Sequence, residues 1–580
     1  MNELFLQAPS ADACNAAGCG VGEWLYQNGP ELLAIAADPH YQTMGLIGAA
    51  ATAGLLAWPL PFAVRQTKNA LRRLLFLDPG ETLLGYARNT SYDWLWNPLV
   101  RALIRDRLTH MQVVAPTGQA KTSLLLSMIV QDLVEGMTVF VLEAGGNLAK
   151  KAIAYAHAFG RSVYLYDPGD ETAMKWNPLS GDPTKVAEQV VSTLMSTGST
   201  NEQFFKEFSA AMVRNLVYTE AACAKWKGRE PTIDSLERFI LDEEWRNEQL
   251  GLVAERDERA RGGGDRNRKR SGGSQDGARP SLQVPDLDEG VRMFWEREFY
   301  GTWTDRQRYE FTQGLRNQLR NLYGRPNVKD SLTPKKGEPQ FRLEDVLSSG
   351  GLICMRTSRG SSGEAANRYL STWIQQRFQM ETLDRGEDAP PVMAYFDECH
   401  IYLGLANEEV AQSASTWIAE VRQNNVGCVF SYQSLKQLPE ALRDVLAGGA
   451  RNKLFSGGLS PDDAYEVQRF MGFEERDVED VRYSRKSIFL GAEPGTVSRG
   501  HRRQERPRYS EWDIRAIPRG RWLYLGVRRG AQQRPQLLKA PRAPSLALVN
   551  AAYSVPREGV RSIAKAHEKA RGAGPGPPVA

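Results

Sequence analysis

Two kinds of hydrophobic patterning alternate along the chain. Short apolar runs bounded by turn residues recur at His110–Val114, Thr138–Leu142, Ser162–Tyr166, 351–355, Val392–Phe396, Val426–Tyr432, Lys453–Ser456 and Trp522–Gly526. Short, mostly apolar runs of this kind predict strands. Between the first two, Thr122–Glu135 places Leu124, Leu125, Met128, Ile129 and Leu133 on one face, which predicts a helix ended by Gly136. Strand, helix and strand at this spacing form a βαβ unit, so the expected fold class is α/β with a parallel sheet.

From about 185 to 345 helical periodicity dominates, as in Val186–Met195 and Phe204–Thr219, and the stretch predicts an all-α insertion. Within it, Glu255–Pro280 is charged, rich in Gly and lacks aromatics, the composition of a disordered loop. A different signal stands near the start. Met44–Val64 is free of charge and long enough to span a bilayer as a helix. Residues 1–43 contain no Lys or Arg, whereas Arg65, Lys68, Arg72 and Arg73 follow the run. The positive-inside rule then places residues 1–43 outside and the bulk of the chain in the cytoplasm, as a single-pass protein.

Composition narrows the function classes. At about 150 residues per domain, 580 residues correspond to roughly three to four structural units. A net charge of +4 excludes a histone-like polycation and a strongly acidic disordered chain. Six cysteines without a CxxC pair, and six histidines without ligand spacing, argue against both a disulfide scaffold and a zinc site. Cys14 and Cys19 fall on the predicted outer side, paired or free.

Three segments carry candidate chemistry. Between the first strand and helix, Ala115-Pro116-Thr117-Gly118-Gln119-Ala120-Lys121-Thr122-Ser123 has the layout of a phosphate-binding loop, GxxxxGK[ST]. Such a loop cradles phosphates with backbone N–H groups at a helix N-terminus. Lys121 would neutralise the β- and γ-phosphates of ATP, and Thr122 would ligate Mg²⁺. Alanines stand at 115 and 120 where the pattern has glycines, and alanine tolerates the special dihedrals of the loop less well. The apolar run Val392–Phe396 ends in Asp397-Glu398, with Asp397 placed for the Mg²⁺ shell and Glu398 for orienting water. Cys399 and His400 follow and are given no role. A third run ends at Gln433, an amide suited to the γ-phosphate. Arg422, at the end of the predicted helix Ala411–Val421, is suited to reach a neighbouring subunit's nucleotide, although an ordinary surface ion pair is the competing expectation.

These segments, in this order, resemble the coupling proteins of bacterial type IV secretion and conjugation (TraG/TraD type), relatives of the FtsK and HerA DNA pumps. The matching pieces are APTGQAKTS, VFVLEAGG, YDPGDETAMKWNPLS, AYFDE, VRQNNVGCVFSYQSLKQL and ARNKLFSGGLSPDDAYEVQRFMG. The resemblance covers roughly 100–220 and 345–475, and its most specific parts are the Gln-Ser-Leu-x-Gln-Leu run and the downstream Asn with Asp-Asp. It implies a RecA-like P-loop domain with an all-α domain inserted between the two Walker strands. Residue by residue, it implies phosphate and magnesium roles for Lys121 and Thr122, a Walker B pair in Asp397 and Glu398, a sensor in Gln433 and a trans-acting arginine in Arg422. It further implies a homo-hexamer in the inner membrane that passes single-stranded DNA with its relaxase to the type IV secretion channel.

The expected organisation is an extracytoplasmic segment 1–43, a transmembrane helix 44–64, a membrane-proximal segment 65–105 with helical stretches, a nucleotide-binding domain 106–184 and 346–540, an all-α domain 185–345 and a flexible tail 541–580. Departures from the family pattern are the loop alanines, a single predicted span, and a basic rather than acidic tail. Two alternative functions are a non-hydrolysing cargo receptor and a secretion-channel assembly ATPase.

Overall fold

The computed structural model describes residues 81–87, 99–197, 203–252, 282–403, 408–483 and 497–553. The expected outer segment, transmembrane helix and disordered loop lie outside them. Among the described residues no helix is long and apolar enough to cross a membrane.

The strands are β1 (Glu81–Ala87), β2 (Leu99–Leu103), β3 (Met111–Val114), β4 (Thr138–Glu143), β5 (Val163–Tyr166), β6 (Leu352–Arg356), β7 (Val392–Asp397), β8 (Val426–Tyr432), β9 (Asn452–Phe455), β10 (Phe473–Tyr483), β11 (Val497–Pro507), β12 (Arg521–Leu525), β13 (Val527–Arg528), β14 (Ala531–Gln532) and β15 (Gln536–Lys539). Eleven of them form one sheet in the order β2-β1-β15-β12-β9-β3-β8-β7-β4-β6-β5. The stretch from β9 to β5 is parallel throughout. The four strands from β12 to β2 pair antiparallel.

Helix α1 (Lys121–Glu135) leads from β3 to β4, passing over β8 and β7. The strand order therefore diverges beside β3, and an open α/β sheet forms its ligand crevice at such a point. The central strands are apolar on both sides because helices cover both faces. On β4 and β7, Val139, Val141, Met393 and Tyr395 join the cluster beneath α1. Phe140, Leu142, Ala394 and Phe396 face the other cluster, with Trp373 and Phe378 of α3 (Glu364–Leu383). This alternation is the period of a strand. Helix α2 (Leu148–Ala158) follows β4 on the α1 side.

Every described element between β5 and β6 is helical, including Pro183–Thr197, Gln203–Lys227 and Asp305–Tyr323. These helices share one buried cluster with the sheet, so Trp295 and Phe239 belong to the same core as Phe140.

Of the segment 65–105, expected to contain helical stretches, the described residues supply β1 and β2, which extend the main sheet, and the start of a short helix, Ile104–Arg107. The tail expected to be flexible from 541 contains a helix, Leu546–Tyr553, whose Val549 is buried, and Tyr155 of α2 donates to the Pro544 carbonyl at 2.5 Å. The long hairpin β10–β11, paired over its whole length, had no counterpart among the expected elements.

A buried polar cluster ties the margin to the centre. The Arg107 guanidinium donates to Thr82 Oγ1 of β1 at 2.6 Å and to Tyr395 of β7 at 2.8 Å. It also pairs with both carboxylate oxygens of Asp132 on α1. Tyr395 donates to the same carboxylate at 2.5 Å.

Candidate functional site

Strand β3 is buried along its whole length, and the Ala115 N–H continues its ladder to the Tyr432 carbonyl at 3.0 Å. The chain then turns through Gly118, with φ at +87°, and Ala120, with φ at +68°, before α1 starts at Lys121. The departure from glycine at 120 thus falls on a left-handed backbone, which costs a residue bearing a Cβ about 1–2 kcal/mol. No side chain caps α1 at Ala120. The first N–H groups of a helix have no partner in the helix and carry partial positive charge, so this end is open to an anion.

The acidic pair closes on the loop. Asp397, buried at the end of β7, accepts from Ser431 Oγ at 2.8 Å and from the Glu398 N–H at 3.1 Å. Glu398 is itself left-handed, with φ at +52°. Strain of this kind persists only where surrounding contacts enforce it, and it concentrates at functional positions. The Lys121 ammonium lies 2.5 Å from Glu398 Oε1 and 3.4 Å from Asp397 Oδ1. Gln433 completes the group: its Nε2 donates to Glu398 Oε2 at 3.1 Å, and its Oε1 accepts from Thr117 Oγ1 at 3.3 Å.

The turn that presents Gln433 is built by the run around it. Gln437 Oε1 accepts from the N–H groups of Gln433 and Ser434 at 3.0 and 3.1 Å. Asp463 accepts from the Leu435 N–H at 3.1 Å. Asn452 holds the other end of the sheet, donating to the Asp106 carbonyl at 2.8 Å and accepting from Tyr524 at 3.0 Å.

A cavity of about 320 Å³ opens above the loop. Ala115, Pro116, Thr117, Gly118, Ala120, Lys121, Thr122, Ser123, Glu398 and Gln433 line it. Gln119 does not; its side chain turns toward Gly458, which has φ at +73°. Asp397 stands behind Glu398, in reach of Lys121. Arg422 stays outside the group. It is exposed on a short turn, Val421–Asn424, that precedes β8, whereas Gln433 follows β8. Within one chain it does not line the cavity.

Two cations that line the cavity escaped the sequence analysis: Lys151, on α2, and Arg519, on the turn before β12. A lysine on an amphipathic helix and an arginine in a loop carry no local signal. Glu143 was also missed. Its buried carboxylate accepts from the Leu148 and Ala149 N–H groups at 2.7 and 3.2 Å, fixing the start of α2.

Burial opposes the charge of Lys121, but Asp397 and Glu398 outweigh it and hold its pKa above the ordinary lysine value. Burial, opposed by the α2 N–H groups and reinforced by the Asp397 charge, raises the pKa of Glu143. Burial pushes the Cys399 thiol up, as expected of a packing residue. His400 Nδ1 lies 3.4 Å from Glu398 Oε2, and burial lowers its pKa.

The donor set suits a phosphate chain with a divalent cation. Among the described residues there is no cluster of three or more His, Cys, Asp or Glu that could hold a metal by itself. Thr122 and Asp397 provide one hydroxyl and one carboxylate, the sparse protein contribution typical of Mg²⁺ sites completed by phosphates and water.

No family profile matches the chain, and no curated protein matches it by sequence. Solved structures do match it in shape. The bacterial conjugative coupling protein TrwBΔN70, unbound, superposes with a TM-score of 0.53 at 14% identity, covering 82% of this chain and 92% of that one. Plasmid coupling protein TrwB in complex with the non-hydrolysable ATP analogue ADPNP gives 0.51 at 14% identity, covering 82% and 92%. The same protein with ADP and Mg²⁺ gives 0.51 at 14%, covering 82% and 91%. With its parallel sheet, phosphate-binding-loop layout and acidic strand end, the chain has the fold of the bacterial conjugative coupling protein TrwB.

Proposed function

We propose that the chain is an ATPase of the coupling-protein type, which uses hydrolysis to move DNA, in a relaxase complex, or protein cargo into a type IV secretion channel. The observation that carries this reading is the convergence of Lys121, Asp397, Glu398 and Gln433 above an uncapped helix start. The complexes of TrwB with ADPNP and with ADP and Mg²⁺ support binding of a nucleotide with Mg²⁺.

Pro116, Thr117, Gly118 and Ala120 bound the phosphate cradle, with Gln119 bracing it against Gly458. Lys121 exchanges its carboxylate partner for phosphate, which leaves Glu398 free to orient water for attack. Thr122 and Asp397 would hold Mg²⁺, which would supply charge neutralisation on the phosphates when bound. Gln433, bonded to both Thr117 and Glu398, links the phosphate cradle to the water-orienting carboxylate. Arg422, exposed and remote from its own cavity, is suited to complete a neighbour's cavity in a homo-hexamer. The uncharged run 44–64 and the four cations after it support an inner-membrane anchor with the helical segment 185–345 as a cytoplasmic inserted domain.

The left-handed Ala120 favours one other reading, a nucleotide-binding cargo receptor with little turnover. ATP hydrolysis by the full chain, measured with and without single-stranded DNA, separates the two. DNA-stimulated turnover supports the pump, and tight ATP binding without turnover supports the receptor.

A further inference from the structure

Arg519 stands on a tightly held turn. The Arg521 N–H donates to the Pro518 carbonyl at 3.1 Å, and Gly520 between them has φ at +78°, the geometry of a type II turn. The preceding residue, Ile517, is buried against Gly457, where a Cβ would meet the Ile517 carbonyl oxygen at 1.9 Å. The Gly458 N–H bonds the Arg515 carbonyl at 3.0 Å. A rigid support thus presents an exposed guanidinium to the rim of the cavity, and among the described residues it has no acidic partner.

The strand order says which end of a nucleotide this rim serves. Glu398 and Gln433 follow β7 and β8, on one side of β3, whereas Arg519 precedes β12, on the other side beyond β9. If the γ-phosphate lies toward Glu398 and Gln433, Arg519 flanks the ribose and base. A planar, weakly hydrated guanidinium stacks on aromatic faces and takes any base, because every base has a π-face.

We propose that Arg519 is the nucleobase contact of this site, stacking on the base and admitting purine nucleotides regardless of their exocyclic groups. The inference rests on the nucleotide reading above.

The test is equilibrium binding of ATP, GTP and inorganic tripolyphosphate to the full chain and to its Arg519→Ala and Arg519→Lys variants. ATP and GTP bind the unsubstituted chain comparably. Arg519→Ala weakens both by about ten-fold, the worth of one stacked base, and leaves tripolyphosphate unchanged. Arg519→Lys, which keeps the charge and loses the plane, behaves like Arg519→Ala. An equal loss for tripolyphosphate, retained ATP affinity in Arg519→Lys, or no loss in Arg519→Ala overturns the base contact while the nucleotide reading stands. Failure of the unsubstituted chain to bind either ATP or tripolyphosphate overturns the nucleotide reading, and this inference with it.

Discussion

Lys121 and Glu398, 277 positions apart in sequence, meet at 2.5 Å, ammonium to carboxylate. Lys121 opens α1, and Glu398 follows β7 in a left-handed conformation. The pair gives the candidate site an internal anion that a phosphate can replace, which ties the availability of Glu398 to occupancy of the loop.

Separate losses follow from this pairing. Glu398→Gln keeps the hydrogen bond to Gln433 but cannot polarise water, so ATP turnover falls by about 10²–10⁴ while ATP still binds. Lys121→Ala leaves two carboxylates facing the phosphates, so ATP affinity itself collapses. Nucleotide titration alongside a phosphate-release assay distinguishes the two, and unchanged turnover in Glu398→Gln would exclude its catalytic role.

Ala120 supplies a second prediction. Its φ of +68° penalises a Cβ, whereas glycine adopts it freely. Ala120→Gly stabilises the chain by about 0.5–1 kcal/mol after the entropy of a freer unfolded chain is deducted. ATP affinity is retained. Ala120→Val, β-branched, destabilises. Thermal melts of the three proteins check the order.

The Arg107–Asp132 pair is fully buried, and Thr82 and Tyr395 add hydrogen bonds to it, although the Arg107 Nε has no partner among the described residues. Asp132→Ala leaves an uncompensated buried guanidinium, at a cost of about 3–5 kcal/mol. Because Asp132 lies on α1 and Tyr395 on β7, the loss also loosens Lys121 against Glu398. Denaturant melts measure the first effect, and ATP binding under folded conditions the second.

His110 predicts a pH dependence. Its Nε2 bonds the Ile418 carbonyl at 2.8 Å, and its Nδ1 accepts from the Cys428 N–H at 3.2 Å. Burial, helped by the nearby Arg422 charge, lowers its pKa to about 4. The unfolded chain protonates His110 near pH 6.5 and the folded chain does not until about 4. The unfolded state therefore binds the extra proton between these values, and stability falls as pH drops through that window, by up to about 3 kcal/mol. Urea midpoints at pH 7 and pH 5 show a smaller drop in His110→Gln, which has no proton to bind there. An identical drop would remove His110 as the cause.

Arg422 offers a complementation test. Arg422→Ala abolishes turnover and leaves ATP binding intact, because the side chain lies outside its own cavity. Mixing it with Glu398→Gln restores part of the activity if one subunit's arginine serves another's nucleotide. Absence of rescue at every mixing ratio would rule out action in trans.

Local pattern alone determined the central strands, the helix from Lys121, the turn that precedes it and the acidic strand end. Each is dictated by neighbours in the chain: a short apolar run favours a strand in the core, and a Gly- and Thr-bearing turn between strand and helix exposes backbone N–H groups. The run Val426–Tyr432 became β8 residue for residue, and Gln433 followed it. Tertiary structure alone decided that Lys121 and Gln433 share the Glu398 carboxylate, since that depends on β8 lying between β3 and β7. It also decided that Glu81–Ala87 is a sheet strand, that Lys151 and Arg519 reach the same cavity, and that Arg422 does not. Long-range pairing sets these outcomes, and a polar side chain carries no mark of the partner that the fold will bring to it.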